Sequence, residues 1–431
     1  MNDAHLVPTH WYNALPDLPF RLDPPLHPQT GEILNPVELE RIFAPSLVEQ
    51  ESSLQREIPI PEAIRELYAG WRPTPLRRAR RLEKRLETPA EIYYKYEGVS
   101  PVGSHKLNTA IPQAYFNHAA GVRRLVTETG AGQWGSALAL AGKLLGLDVE
   151  VFMVRISAEQ KPERLRFMRT LGAEVVASPS RRTEFGRALL EEDPDHPGSL
   201  GIAISEALEV VLNEEGSRYA LGSVLNHVLL HQTVIGQEAK AQLAALGKVP
   251  DQIIACHGGG SNFGGIVLPF LPDRLEGKLM RLIAVEPASC PSLTEGEYRY
   301  DTGDSAGLTP SMKMFTLGRS FIPPSSHAGG LRYHGASPLV SALLHHELIE
   351  AHAVEEEDTF RAAHLFLETE GILPAPESSH AIAQAIHSAL TARQEKRKEV
   401  ILFNLSGHGL YDLSFYERII PSRFAQATVP V

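Results

Sequence analysis

The chain has 431 residues, 43% of them apolar and 22% charged, which is ordinary globular composition and too long for one hydrophobic core. Its formal net charge of −11, with acids and bases interspersed, argues against nucleic acid or an anionic membrane as partner. No apolar run is long enough to span a bilayer, no charged start leads into an apolar block, and only Cys256 and Cys290 occur, which fits a reducing cytoplasm rather than a disulfide framework.

Residues 1–60 are rich in proline and read as an extended arm lying on the body, with Trp11, Tyr12 and Phe20 to bury. The prolines of RPTPL (72–76) predict a tight turn. Strand–helix alternation begins near residue 90. EIYYKYE (91–97) and RLVTE (124–128) read as strands, and GQWGSALALAGKLLGL as a helix of small residues. VEVFMV (149–154), PERLRFMRTLGA (162–173) and EVVASP continue it as strand, helix and strand. QIIACHGGGSNFGGIVLPFL runs strand, glycine turn, helix, and LIAVEP (282–287) and EVILFNLSG (399–407) are further strands. Such alternation predicts α/β architecture, with parallel sheets covered by helices on both faces. We divide the chain into the arm (1–60), an N-terminal α/β domain (61–224) and a C-terminal α/β domain (225–431).

Ligands of such sheets sit beyond the carboxyl ends of the strands. HGGGSN (257–262) lies there. Gly258, Gly259 and Gly260 let backbone N–H groups approach an anion, a helix start adds partial positive charge, and Ser261 and Asn262 add side-chain donors. A tight turn needing several glycines would also account for it. No lysine follows, so it is not a Walker loop, and Phe263 stands at the third position of a dinucleotide fingerprint. TETGAGQWGSA (127–137) offers a second loop of backbone donors, suited to a carboxylate, with Glu128 before it as an acid or base, or as a satisfied turn residue. Lys106, in GSHKLNTA (103–110), begins a helix, where the macrodipole disfavours a cation. Such a lysine should have a depressed pKa or be covalently masked, and both suit a Schiff base. A phosphate cradle, a carboxylate loop and a masked lysine together point to pyridoxal 5'-phosphate. Ser406, in FNLSGHG, can hydrogen-bond a neutral pyridine nitrogen, which favours β-elimination over transamination.

YEGVSPVGSHKLNTA, TETGAGQWGSA, LGSVLNHVLLHQTVIGQE, GGGSNFGG, EGILPAPESSHAIA and NLSGHG, in that order from about residue 70 to 415, resemble the tryptophan synthase β family, in its second, longer type with an N-terminal arm. The resemblance implies the fold-type II pyridoxal-phosphate architecture: two three-layer domains with mostly parallel twisted sheets and the cofactor between them. It implies a β-replacement that joins L-serine or O-phosphoserine to indole to give L-tryptophan. It further implies a mobile lid at about 121–208, a homodimer, an α-subunit partner, and a monovalent cation (Na+ or K+) whose ligands the sequence does not locate. Carried over by position, Lys106 resembles the Schiff-base lysine and His105 a phosphate contact. Gly258, Gly259, Gly260, Ser261 and Asn262 match the phosphate cup, Ser406 the pyridine-nitrogen partner and Glu377 an acid facing the ring. Glu128 matches the carboxylate that handles the indole proton. Thr129, Gly130, Ala131, Gly132 and Gln133 match the amino-acid carboxylate loop. Three features depart from the commoner type: Thr309 replaces an aspartate, Trp134 replaces a histidine, and the arm is extra. Arg332 is the candidate cation for a phosphorylated donor.

Other motifs carry less. HHELIEAH (345–352) lacks the final histidine of a zinc motif and reads as a solvated helix face; VEEEDTF reads as an acidic helix start; Cys256 reads as a small core residue. The rival readings are a serine or threonine dehydratase, for which Glu128 would have no indole proton to manage, or another β-replacement enzyme with a different nucleophile; a dinucleotide oxidoreductase with Glu286 on the ribose; and a non-catalytic sensor that would not need Lys106.

Overall fold

A period of two along the strands sets both main sheets of the computed structural model, which describes residues 7–413, 416 and 417. The first six residues of the arm and the end of the 225–431 domain lie outside the described residues. The smaller sheet has the strand order 174–178, 148–154, 124–129, 217–219, all parallel. Leu125, Val149, Val151 and Met153 fall in one core with Ala137 and Leu138 of helix Gln133–Leu145 and Met168 of helix Pro162–Thr170. Val126, Phe152 and Val154 fall in another, with Ala203, Ala207 and Val211 of helix Leu200–Asn213. Successive side chains thus feed opposite faces, and both faces are covered.

The larger sheet has the order 350–354, 281–287, 252–256, 400–405, 91–96, 76–78; all are parallel except the last, which is an antiparallel edge. Ile253, Ala255, Leu282 and Leu402 pack with Phe263 and Ile266 of helix Ser261–Val267. Ile254, Ile283, Ile401 and Phe403 pack on the other side with Ile382 and Ala385 of helix Pro376–Gln394 and Phe366 of helix Glu356–Glu370.

A boundary at residue 225 does not separate these sheets. Strands 76–78 and 91–96 belong to the larger one, where all six residues of 91–96 pair with 400–405. EIYYKY is buried on both faces, so it needs a neighbour on each edge and finds one from the far end of the chain. The self-contained unit is the smaller sheet, from 124 to 219. The arm is only partly extended. Its strand His10–Tyr12 pairs with Glu57–Pro59, and it carries helices Pro36–Leu39 and Pro45–Ser52, each opened by a proline at the first helical position. Trp11 is fully buried and Phe20 stacks on His346. The stretch 345–352 is not a helix face: helix Pro338–His345 ends there, and Glu350–Val354 is the edge strand of the larger sheet. Among the described residues no helix is long and apolar enough to cross a membrane.

Beneath the helix that follows Lys106 lies a buried cluster of two cations and two anions. Arg72 donates to Glu238 at 2.8 Å and to Glu97 at 3.0 Å, and Lys95 donates to Glu238 at 2.7 Å. Arg72 also donates to the side-chain oxygen of Asn108 at 2.7 Å, and the Asn108 amide donates to Glu97 at 2.9 Å, which ties the cluster to the first turn of that helix. Burial alone would raise the Glu97 carboxyl, but Arg72 and Lys95 outweigh it and hold it at about 2. Arg72→Met should therefore strand two carboxylates on one lysine and cost about 3–5 kcal/mol, read as a lower urea midpoint.

Candidate active site

The ends of three parallel strands meet at one cavity: Thr129 closes 124–129, Cys256 closes 252–256 and Leu405 closes 400–405. Lys106 reaches it from the start of helix Leu107–Ala119. Its amine donates to the Gly222 carbonyl at 2.5 Å and to Ser261 Oγ at 3.0 Å. Burial pushes that amine down to about 8, against the opposing pull of the Glu128 and Glu377 carboxylates. That shift brings a minor neutral fraction into reach near neutral pH, and the neutral amine is the form a nucleophilic lysine requires. His105 is buried, with ring nitrogens 3.4 Å from the Ser406 carbonyl and 3.3 Å from Ser261 Oγ. Burial, and then the neighbouring Lys106, push it down to about 3, so it is neutral.

Gly258, Gly259 and Gly260 form the floor. A Cβ at Gly259 would lie 2.5 Å from Ser223 Oγ, and Gly260 has φ +112°, so side chains are barred at both. The Ser261 N–H is bound by Ser223 Oγ at 3.1 Å, and Ser261 Oγ faces Lys106 and His105. Asn262 departs from expectation. Its amide donates to the Cys256 carbonyl at 2.9 Å, and its oxygen accepts from Asn404 at 2.6 Å. The side chain is spent on bracing the strand ends, which leaves only its backbone N–H for an anion.

Ser406 Oγ lies 2.6 Å from Ser378 Oγ and 3.6 Å from Cys256 Sγ. Burial pushes the Cys256 thiol up to about 12, so it stays protonated and unreactive although it lines the cavity. Across the cavity, Thr129 Oγ1 accepts the N–H groups of Gly132 and Gly135, both at 3.2 Å, and so shapes the 129–133 loop from within. Thr129, Gly130, Ala131 and Gln133 line the cavity; Gly132 does not, and a Cβ there would meet Arg164 at 2.9 Å. Glu377 Oε1 accepts from Gln133 and from the Gly330 N–H, each at 2.8 Å, and its buried Oε2 has no partner among the described residues.

Glu128 is buried at the strand end and accepts a hydrogen bond from the Tyr219 hydroxyl. Burial pushes its carboxyl up to about 7, against the opposing effect of that bond. Thr309 lines the cavity, but its hydroxyl is held by Asp304 at 2.9 Å. Arg332 is turned behind the loop, donating to Ser157 Oγ at 2.5 Å, and is not among the residues lining the cavity. Trp134 does line it and donates to Thr127 Oγ1 at 2.6 Å.

The structure therefore brings the expected residues to one cavity, apart from Gly132 and Arg332. Tyr219 and Ser378 went unrecognised in the sequence. Ser378 lies in PESSH, next to Glu377, whereas Tyr219 had no local signal; the register that sets it opposite Val126 brings it to Glu128.

The model of the family described as pyridoxal-phosphate dependent enzyme matches residues 67–407. A protein named tryptophan synthase beta chain 2, from Thermotoga maritima, is 61% identical over 410 residues, covering 95% of this chain and 97% of that one. One of the same name from Aeropyrum pernix is 58% identical over 418 residues, covering 96% and 93%. The solved structure of a processed threonine deaminase isoform 2 from Solanum lycopersicum superposes with a TM-score of 0.58 at 21% identity, covering 80% of this chain and 86% of that one, a likeness of fold.

Proposed function

The chain belongs to the pyridoxal-phosphate dependent enzymes and, within them, to the tryptophan synthase beta chains; from that premise we propose that it replaces the hydroxyl of L-serine, or the phosphate of O-phosphoserine, with indole to give L-tryptophan. The observation that carries this reading is the placing of Lys106 and Glu128, with their shifted protonation, on the same cavity.

The residues present fit the cofactor. A partly deprotonated amine faces a floor of glycines, Ser406 offers a hydroxyl, and the unpartnered Glu377 Oε2 is buried at the cavity wall. Gly258, Gly259, Gly260, Ser261, the backbone of Asn262, and His105 would hold the phosphate; Ser406 would meet the ring nitrogen, and Glu377 would face the ring. When bound, pyridoxal phosphate supplies an aldehyde carbon that links to amines and a conjugated ring that accepts the electron pair released when a Cα–H bond breaks.

Within that site, the 129–133 loop binds and orients the substrate carboxylate through backbone donors. Lys106 Nζ takes the α-proton and returns it to the departing hydroxyl. Indole carbon 3 then bonds to the β-carbon while Glu128 takes or steers the proton on the indole nitrogen; the hydrogen on carbon 3 leaves as a proton to restore the aromatic ring, and Lys106 Nζ returns a proton to the α-carbon to complete L-tryptophan. We take residues 121–208 as the element that closes over the site and excludes water, which suppresses hydrolysis to pyruvate. A cytoplasmic homodimer that binds a monovalent cation and can meet an α subunit is the expected setting.

The test is to incubate the holoenzyme with L-serine or O-phosphoserine, with and without indole, and identify products. Tryptophan formed only with indole supports the reading; pyruvate or a 2-oxo acid alone, with no tryptophan from either donor, would transfer it to the dehydratases.

A further inference from the structure

The cavity that Glu128 lines is also walled in part by apolar side chains of the N-terminal arm. Leu39, Ile42, Phe43, Leu47 and Val48 all line it. Phe43 and Leu47 share a core with Ile204, Leu208 and Tyr219. Phe43 is 6% exposed, and its ring lies 5.9 Å from that of Tyr219 and 5.5 Å from that of His227, edge-on to the latter. Tyr219 in turn donates to Glu128. An aromatic side chain of the arm is thus one ring contact from the residue that holds the carboxylate.

The arm is fixed there. The Glu51 carboxylate accepts the N–H groups of Asn226 at 3.0 Å and His227 at 2.9 Å, and pairs with His227 Nδ1 at 2.7 Å, so it caps helix Asn226–Gln232. The Tyr219 N–H donates to the Ile42 carbonyl at 2.9 Å, and His231 Nε2 lies 2.8 Å from Gln50 Oε1. These bonds fasten the arm to residues 219–231, the stretch whose Gly222 carbonyl receives the Lys106 amine. A wall held this way has a set shape, and a rigid apolar wall discriminates by size, with one extra carbon worth about 10–200-fold.

We infer that Phe43 is a specificity-determining residue that sets the size limit of the compartment for the aromatic nucleophile. The inference rests on the proposed function, and its failure can be told apart from failure of that reading. The experiment compares full-chain holoenzyme as wild type, Phe43→Ala and Phe43→Leu. The donor is the one the wild type uses, and the nucleophiles are indole and the 4-, 5-, 6- and 7-methylindoles. For at least one ring position, kcat/KM relative to indole should rise about tenfold in Phe43→Ala and less in Phe43→Leu. Pyruvate formation from the donor alone should stay within about twofold. Ratios unchanged for all four methylindoles, in variants that still use indole, would overturn the inference. So would a Phe43→Leu variant that fails to fold, which would mark Phe43 as core filling. A wild type that makes no tryptophan from either donor would instead strike the functional reading.

Discussion

Lys106→Ala should lower tryptophan formation by on the order of 10²–10⁴-fold through the loss of one positioned proton-transfer group alone. It should also abolish the mass added to the Lys106 peptide when the native holoenzyme is treated with borohydride. Both follow from the amine's surroundings. Its bonds to the Gly222 carbonyl and Ser261 Oγ fix its position, and burial brings it down from its ordinary value to about 8, so the neutral amine that can accept a proton is populated at the alkaline side of neutrality. An exogenous primary amine should restore part of the lost rate, because alanine leaves room for it. Lys106→Arg should not recover, because a guanidinium stays protonated. A Lys106→Ala protein that kept more than about a tenth of the wild-type rate would remove the amine from the chemistry, since the expected loss is at least tenfold larger.

The sequence made the chemistry of the strand ends legible because that chemistry is local. A glycine run, a serine or a carboxylate placed just after a two-sided apolar strand adds little to core packing and much to ligand binding, and HGGGSN, TETGAGQ and NLSG all sit at such ends. What it concealed is settled by contacts between distant segments. The pairing of 91–96 with 400–405 places an early strand in the late sheet, and no composition shift near 225 could report it. Asn262 reads as a free donor beside the glycines, but Asn404, 142 positions on, claims its oxygen. Arg332 reads as available charge until Ser157, 175 positions earlier, takes it behind the loop. HHELIEAH reads at helical spacing, yet the alternation of EAHAV suits the open edge of the larger sheet, and tertiary pairing overrode the local period. The arm misled in a related way: its prolines suggested extension, but two of them occupy first helical positions.

Glutamine at position 128 should split the reaction rather than abolish it. The indole-dependent rate should fall by about 10²–10⁴-fold, while pyruvate formation from the amino-acid donor alone stays within a few-fold, because only the nucleophile's proton needs this carboxylate. The pH dependence gives a second, independent reading. Burial holds the Glu128 carboxyl up at about 7, so its basic form grows in as pH rises through that value. The wild-type rate with indole should show a rising limb centred at pH ~7, and Glu128→Gln should lack that limb. Tyr219→Phe removes a donor that favours the charged form, and should move the wild-type midpoint upward by about one pH unit. The same shift fixes a stability effect of definite sign. Between the unfolded value of 4.5 and about 7, the folded apoprotein holds a proton that the unfolded chain has released, so stability falls as pH rises across that window. At about 1.36 kcal/mol per pH unit the cost reaches roughly 3 kcal/mol by pH 8. Glu128→Gln should therefore be the more stable protein at pH 8 and match the wild type near pH 4, as read by urea midpoints. If the variant lost pyruvate and tryptophan formation equally and kept the wild-type pH dependence of stability, Glu128 would be no more than a structural carboxylate.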